Sequence, residues 1–424
     1  MSAIIFATIS ILLIISIIVK PKLKWIDTYV VIAMAGAILM LLFRQVSIKE
    51  AYNSLAHNEA ISPLKILILF FTMTFLSIVC DSLGLFNFLA YKIVGLCKKG
   101  QFSLYTILYV SISILTIFTS NDIIILTFTP FIIHLCKRSG INPIPYLVGE
   151  FVAANTASMT LLIGNPTNIV LSLSAHISFT EYFLNMWYIA ILTAAFLYVV
   201  LILLFFRSLK KPMALNLESN APALNKFLTI VAVIHLGLCT ILLSISNYIN
   251  LEMYLITTAF ATSLLIILLL YTLITKKDKR IIKMSLRRLP YSLIPFLISM
   301  FIMVEALNVN GYTEKLSNLL NKTNQTYTYG ISSYLASNVM NNIPMSILYS
   351  NALTFTSSAK AIYASIIGSN LGAYLTPLGA LAGIMWLSIL KAYDIKFSFL
   401  SFIKYGFILS LSAILFSLTL LYLI

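Results

Sequence analysis

Four clusters of small polar residues interrupt an otherwise apolar chain, and their residue types could bind a small solute or an ion. They are Ser120-Asn121-Asp122, Gly164-Asn165-Pro166-Thr167-Asn168, the stretch from Asn338 to Pro344, and the paired runs Gly368-Ser369-Asn370-Leu371-Gly372 and Thr376-Pro377-Leu378-Gly379. Irregular backbone survives at membrane depth only where protein buries it or where it lines a polar cavity, so each cluster marks a candidate site wall. The side chains on offer are Ser120, Asn121, Asp122, Asn165, Thr167, Asn168, Asn341, Asn342, Ser369, Asn370 and Thr376, nearly all neutral. Such a lining suits a hydroxylated or carboxylated small solute. Half-helix N-termini at the interruptions present N–H groups to it, and half-helix C-termini present carbonyls to a cation.

Three acids lie within apolar stretches, namely Asp122, Glu150 and Glu305. A carboxylate inside a membrane is a functional hypothesis, because its charge costs at least about 2.5 kcal/mol at a helix centre unless compensated. Asp122, on a turn between two apolar arms, is the candidate for coupling to a sodium ion or a proton. Glu150 and Glu305 lie nearer the ends of their spans, within snorkelling reach of the interface. His57, His134, His176 and His235 are scattered, with neither a nucleophile–base pair nor ligand spacing among them, so no enzyme activity, cofactor or metal is expected. Cys80, Cys97, Cys136 and Cys239 read as packing thiols.

The elements that must position these clusters are membrane spans. With 60% hydrophobic and only 10% charged residues, the chain reads as an all-α polytopic membrane protein whose apolar runs approach the ~20 residues a spanning helix needs. The run from Ala3 to Val19 lacks a basic flank and a cleavage site and is taken as a retained span. Spans at about 3–19, 28–43 and 64–80 lead into an amphipathic segment over 81–100. A re-entrant hairpin follows, with arms at 101–119 and 123–136, then a crossing over 143–175 broken at Gly164 to Asn168, then a span at 183–206. The second part repeats this plan with spans at 226–245, 251–275 and 289–308, an amphipathic stretch over 312–321, a hairpin over 327–358, a crossing over 361–390 broken at the two Gly-containing runs, and a span at 397–422.

Asn121-Asp122 matches Asn341-Asn342 at an offset of 220 residues, and Asn155 matches Asn370 at 215, each close to half the chain. Five crossings per half make the halves inverted, with repeat 1 over 1–206, a cytoplasmic linker over 207–225 and repeat 2 over 226–424. The formal charge of +15 then reports topology rather than nucleic acid. With the N-terminus outside, only Arg44, Lys49, Lys65, Lys315, Lys322 and Lys360 of the 28 Lys and Arg residues fall outside, and the rest gather on the cytoplasmic face.

The order of TSND-x4-T-x-TP from Thr119, AANTASMTLLIGNPTNIV, NVMNNIPMSILYS and IIGSNLGAYLTPLGALAGIMWL resembles the ion transporter superfamily. It is most similar to the membrane subunit of arsenite efflux pumps and their citrate-transporter-like relatives. The resemblance spans essentially the whole chain and implies about ten spans with two hairpins and two broken helices. It also implies secondary transport of arsenite or antimonite across the cell membrane, in some members with a soluble ATPase partner. Relatives move dicarboxylates or exchange sodium for protons, and these alternatives stay open. The partners expected are the lipid bilayer, a small anionic or oxyacid substrate and a second copy in a homodimer. Pump members typically carry Asp where this chain has Asn155 and Asn370, so two buried acids of the family pattern are missing here.

Overall fold

Long runs of Ile, Leu, Val and Phe free of internal Pro form uninterrupted helices, and the polar clusters are where helices stop. A computed structural model describes the chain except for residues 20–26, 57–62, 96–99, 214–223, 247, 277–278, 356–357 and 424. The first half carries α1 (Ser2–Val19), α2 (Thr28–Leu42), α3 (Ile48–Ala56), α4 (Pro63–Ser82), α5 (Leu85–Gly95), α6 (Gly100–Ile117), α7 (Asn121–Arg138), α8 (Ile144–Ala157), α9 (Pro166–Ser174) and α10 (Phe179–Leu209). The second carries α11 (Lys226–Ser244), α12 (Met253–Thr275), α13 (Lys279–Arg287), α14 (Leu293–Val309), α15 (Tyr312–Leu320), α16 (Gln325–Met340), α17 (Asn342–Leu353), α18 (Ala359–Gly372), α19 (Leu381–Ala392) and α20 (Phe399–Leu423). No strand occurs among the described residues.

Corresponding helices recur in the same order in both halves. α8 and α18 are each 14 residues long and start at Ile144 and Ala359, the 215-residue offset read from Asn155 and Asn370. The helices α4, α6, α10, α11, α12 and α20 are each long and apolar enough to cross a membrane, and α14 with α15 makes a bent pair at 79°. The protein is an integral, multi-pass membrane protein. Where sequence asks for broken crossings, α8 with α9 and α18 with α19 supply half-length arms.

Two packing groups mix the halves. α1, α2, α4, α11, α12, α13 and α14 pack among themselves as a framework, and α6 to α10 interleave with α16 to α20. The second group holds all four polar clusters. It meets the framework where α14 touches α17, α1 touches α16, and α4 touches α7 and α9.

The closest approach in the second group explains one departure from expectation. Gly368 to Gly372 is not a break but the last turn and a half of α18. A Cβ built on Gly368 would collide with Ser333 Oγ, the Gly330 carbonyl oxygen and the Tyr334 amide nitrogen on α16. One on Gly372 would collide with Ser337 Oγ. This is a small-xxx-small face that lets two helix backbones touch, and the glycines serve packing rather than interruption. The break is displaced to 373–380. In the first half the irregular stretch is also longer than expected: α8 ends at Ala157, one 3₁₀ turn spans Leu162–Gly164, and Pro166 restarts the helix at its first position.

Two short helices, α3 and α13, lie where sequence indicated only loops. In α13 the apolar Ile281, Ile282 and Leu286 share a segment with Arg280, Lys283 and Arg287, and it packs on α4. Lys20, Lys22, Lys24, Lys98, Lys99 and Lys277 of the cytoplasmic charge set, Cys97, and most of the 207–225 linker lie outside the described residues. Cys80, Cys136 and Cys239 are buried free thiols.

Candidate functional site

Hairpin 1 turns through Phe118 to Ser120 between α6 and α7. Ser120 is the extended N-cap residue of α7, but its hydroxyl makes no cap bond. Asn121 Nδ2 donates to Asn155 Oδ1 of α8 at 2.9 Å, while Asn155 Nδ2 donates to the Phe151 carbonyl at 2.8 Å. The turn is thus pinned to the helix beside it. In the break that follows, Asn168 Nδ2 donates to the Ser158 carbonyl, just past the end of α8, at 2.9 Å and lies 3.3 Å from the Leu161 carbonyl, which also accepts from the Gly164 amide of the 3₁₀ turn at 3.0 Å. Asn165 caps α9, its Oδ1 accepting from the Thr167 amide at 3.2 Å.

Hairpin 2 is stitched to its neighbouring break through different atoms. Asn338 Nδ2 donates to the Gly372 carbonyl at 3.0 Å, and its Oδ1 accepts from Thr376 Oγ1 at 2.7 Å and from the Thr376 amide at 3.1 Å. Asn341 Nδ2 donates to the Leu378 carbonyl at 3.0 Å, and the Asn342 amide donates to the Gly379 carbonyl at 3.0 Å. Asn341 holds φ 73°, ψ 153°, a conformation favoured almost only by glycine, at a strain of order 1–3 kcal/mol. The side-chain bonds to Leu378 and to the Ile343 amide, the latter 3.3 Å, hold it there.

The first break meets the end of α18, just ahead of the second break, at one residue. Asn370 Oδ1 accepts from Asn165 Nδ2 at 2.9 Å and from Ser158 Oγ at 3.2 Å, and Asn370 Nδ2 donates to Asn168 Oδ1 at 2.7 Å. All four residues are buried. Asn165, Asn168 and Asn370, from two of the clusters, therefore satisfy one another across the halves, as buried amides must.

By their hydrogen bonds the candidate residues fall into two sets. Asn121, Asn155, Asn165, Asn168, Asn341, Asn370 and Thr376 spend their side chains on holding the breaks together. Ser120, Asp122, Thr167, Asn342 and Ser369 make no side-chain hydrogen bond to any described residue. Among them the Thr167 and Ser369 hydroxyls are fully buried. Groups of this kind are the ones a bound solute or ion can satisfy. Asn338 and Ser158 belong to the holding set and were missed in sequence; Asn338 was legible as part of its cluster, Ser158 only through its place after a helix end.

The acids separate similarly. Asp122 lies in the first turn of α7, where the helix dipole favours a negative charge, and the cap position is Ser120's rather than its own. Glu150 does not snorkel. It is buried on α8 and accepts from Thr129 Oγ1 at 2.8 Å (Oε1) and 3.0 Å (Oε2), because α8 runs inside the second packing group rather than along its lipid face. Glu305 is half-buried. A fourth acid escaped the sequence reading: Asp81, at the end of α4, is buried and paired with Arg288.

The chain matches the citrate transporter (CitMHS) family over residues 11–364. It is 26% identical over 387 residues to the putative arsenical pump membrane protein of Bacillus subtilis, covering 82% of this chain and 84% of that protein. The arsenical pump membrane protein of Yersinia enterocolitica is 26% identical over 361 residues, at 81% and 82% coverage. In fold, the chain is similar to the YdaH transporter of Alcanivorax borkumensis, with a TM-score of 0.53 and 14% identity over 90% of this chain and 87% of that one.

Proposed function

We propose, for a chain that belongs to the citrate transporter family, that it is a secondary active transporter exporting a small oxyacid of the arsenite or antimonite type across the cell membrane. The observation that carries this reading is the division of the polar clusters. Seven side chains are consumed in holding two breaks and two turns together, and the five left over are two hydroxyls buried without partners, a third hydroxyl, one amide and one carboxylate. Arsenite near neutrality is largely the uncharged trihydroxide, which donates and accepts hydrogen bonds and needs no cationic pocket. The relatives named as arsenical pump proteins support the same substrate.

In this reading the halves are inverted repeats, the N-terminus is outside, and the two hairpin tips and two breaks face one another near the membrane midplane. Asp122 carries the coupling charge, for a proton or a sodium ion. The chain acts as a transporter and not as an enzyme, and both a soluble ATPase partner and a homodimer are compatible with it. Expression in arsenite-sensitive bacteria tests the reading: growth on arsenite should be restored and cellular arsenite should fall. Unchanged sensitivity, together with sodium-dependent uptake of a dicarboxylate into vesicles, would replace it with anion symport.

A further inference from the structure

Asp81 is oddly placed for a helix stabiliser. It sits in the last turn of α4, the negative end of the helix dipole, where an acid is unfavourable. It is nonetheless buried and doubly held: Arg288 Nη2 lies 2.5 Å from Oδ2, and Thr127 Oγ1 lies 2.8 Å from Oδ1. The Thr127 proton is shared with the Ile123 carbonyl of its own helix, 2.9 Å away. The three residues come from three places. Asp81 is on α4 of the framework and Arg288 follows α13, which packs on α4. Thr127 is on α7, the arm of hairpin 1, five residues beyond Asp122. By helix rise that is about 7.5 Å along the axis from the candidate coupling residue.

The opposite end of α4 is built differently. Lys65, Ile66 and Leu69 line a cavity of about 510 Å³ that is also lined by Leu173 and His176, at and just beyond the end of α9. Lys65 there pairs at 2.6 Å with Glu252, the residue just before α12 of the framework. Sixteen residues separate Lys65 from Asp81, about 24 Å of helix and most of a bilayer's apolar thickness. Thus α4 is hydrogen-bonded to the site-bearing group at its last turn, whereas at its first turns a cavity lies between it and the end of α9.

We propose that Asp81, Thr127 and Arg288 form the gate at the end of the pathway where α4 finishes, and that transport requires Thr127 to part from Asp81 so that hairpin 1 can move against the framework. In the conformation seen, this gate is shut. Arg288 holds the carboxylate in place through the ion pair, and the hydroxyl–carboxylate bond is the part that breaks, since a single neutral donor is weaker than the charge pair behind it. Rigid movement of one group of helices past another is the usual form of alternating access. The proposal rests on the transporter family and not on the substrate.

The test uses the full-length protein with its four cysteines replaced, a reporter cysteine at Ser120 and a membrane-impermeant maleimide. The face of the gate is defined independently as the one on which a cysteine at Arg280 is labelled. Thr127→Val, which keeps shape and removes only the hydroxyl, and Arg288→Gln should each raise Ser120→Cys labelling from that face about threefold or more. Asp81→Asn combined with Arg288→Gln replaces the charge pair with neutral hydrogen-bonding partners and should return labelling toward the parent level. Membrane abundance and a monodisperse gel-filtration peak establish that each variant is folded, and Thr127→Val carries the decision where the charge variants are not. Labelling unchanged in Thr127→Val, or raised equally from both faces, overturns the gate. Because the readout contains no substrate, failure of the gate and failure of arsenite export are separate results.

Discussion

Asn370, in the second half of the chain, takes a hydrogen bond at 2.9 Å from Asn165, the cap of α9 in the first half. The same amide gives one back to Asn168 at 2.7 Å, so the first break is fastened to the end of α18 through a single residue. Residues with a common buried network lose stability non-additively. Asn165→Ala and Asn370→Ala should each cost about 1–3 kcal/mol, from the partners left unsatisfied. The double variant should fall short of the sum by about 0.5–3 kcal/mol. Thermal unfolding of the four purified proteins measures this, and additive shifts would mean that the bond is not made.

The contact of α18 with α16 gives a second expectation. At Gly368 a methyl group meets the Gly330 carbonyl and the Tyr334 amide, neither of which is a flexible chain end. Gly368→Ala should therefore destabilise by roughly 1–3 kcal/mol or more and reduce the amount of protein in the membrane. Gly237, on α11, is the control: a Cβ there has nothing within 4 Å. Gly237→Ala should be neutral or stabilising by up to about 1 kcal/mol, because alanine loses less backbone entropy on folding. Equal behaviour of the two variants would remove close packing as the reason for Gly368.

Much of this architecture was legible because lipid enforces it. Apolar runs had to become helices, and the polar clusters had to sit where helices stop, so the ends of α7, α9 and α17 follow from Ser120, Asn165 and Asn341. What misled was a class of residue rather than a region. Glycine serves both interruption and close packing, and Gly368-Ser369-Asn370-Leu371-Gly372 is the second kind, which only its partner helix α16 reveals. Asp81 was passed over because it ends an apolar run and reads as a boundary residue, whereas Arg288, 207 residues away in the chain, turns it into a buried pair. Which asparagines hold the fold and which are left for a ligand is a matter of partners, and partners from opposite halves are not written in spacing.

The proposed topology, with the N-terminus outside, makes an accessibility prediction with described, exposed positions. With native cysteines replaced, cysteines at Lys210, at the end of α10, and Arg280, in α13, should be protected from an impermeant thiol reagent added to intact cells. One at Tyr248, between α11 and α12, should react. These positions lie on opposite faces only if α11 and α12 each cross once, so the reverse pattern would invert the orientation, and uniform labelling would break the span assignment.

Asp122 yields the sharpest expectation, because stability and transport should move in opposite directions. Its carboxylate has no hydrogen-bond or ion-pair partner among the described residues, and the cap of α7 is Ser120. Asp122→Asn therefore removes a charge that the membrane interior penalises and forfeits only the helix-dipole term of about 0.3–1 kcal/mol in the first turn of α7, with no side-chain hydrogen bond or ion pair lost. The variant should be as stable as the parent or more so, while ion-coupled transport falls to background, the pattern expected of a residue kept for function at a cost in stability. The coupling ion can be read from the same pair of proteins. If sodium is that ion, sodium should raise the unfolding temperature of the parent, by binding only the native state, and should leave Asp122→Asn unmoved. If the coupling ion is a proton, sodium should move neither protein, and the unfolding temperature of the parent should show a pH response beyond that of Asp122→Asn. An Asp122→Asn protein that transports normally, or one that unfolds earlier than the parent, would return Asp122 to a structural role.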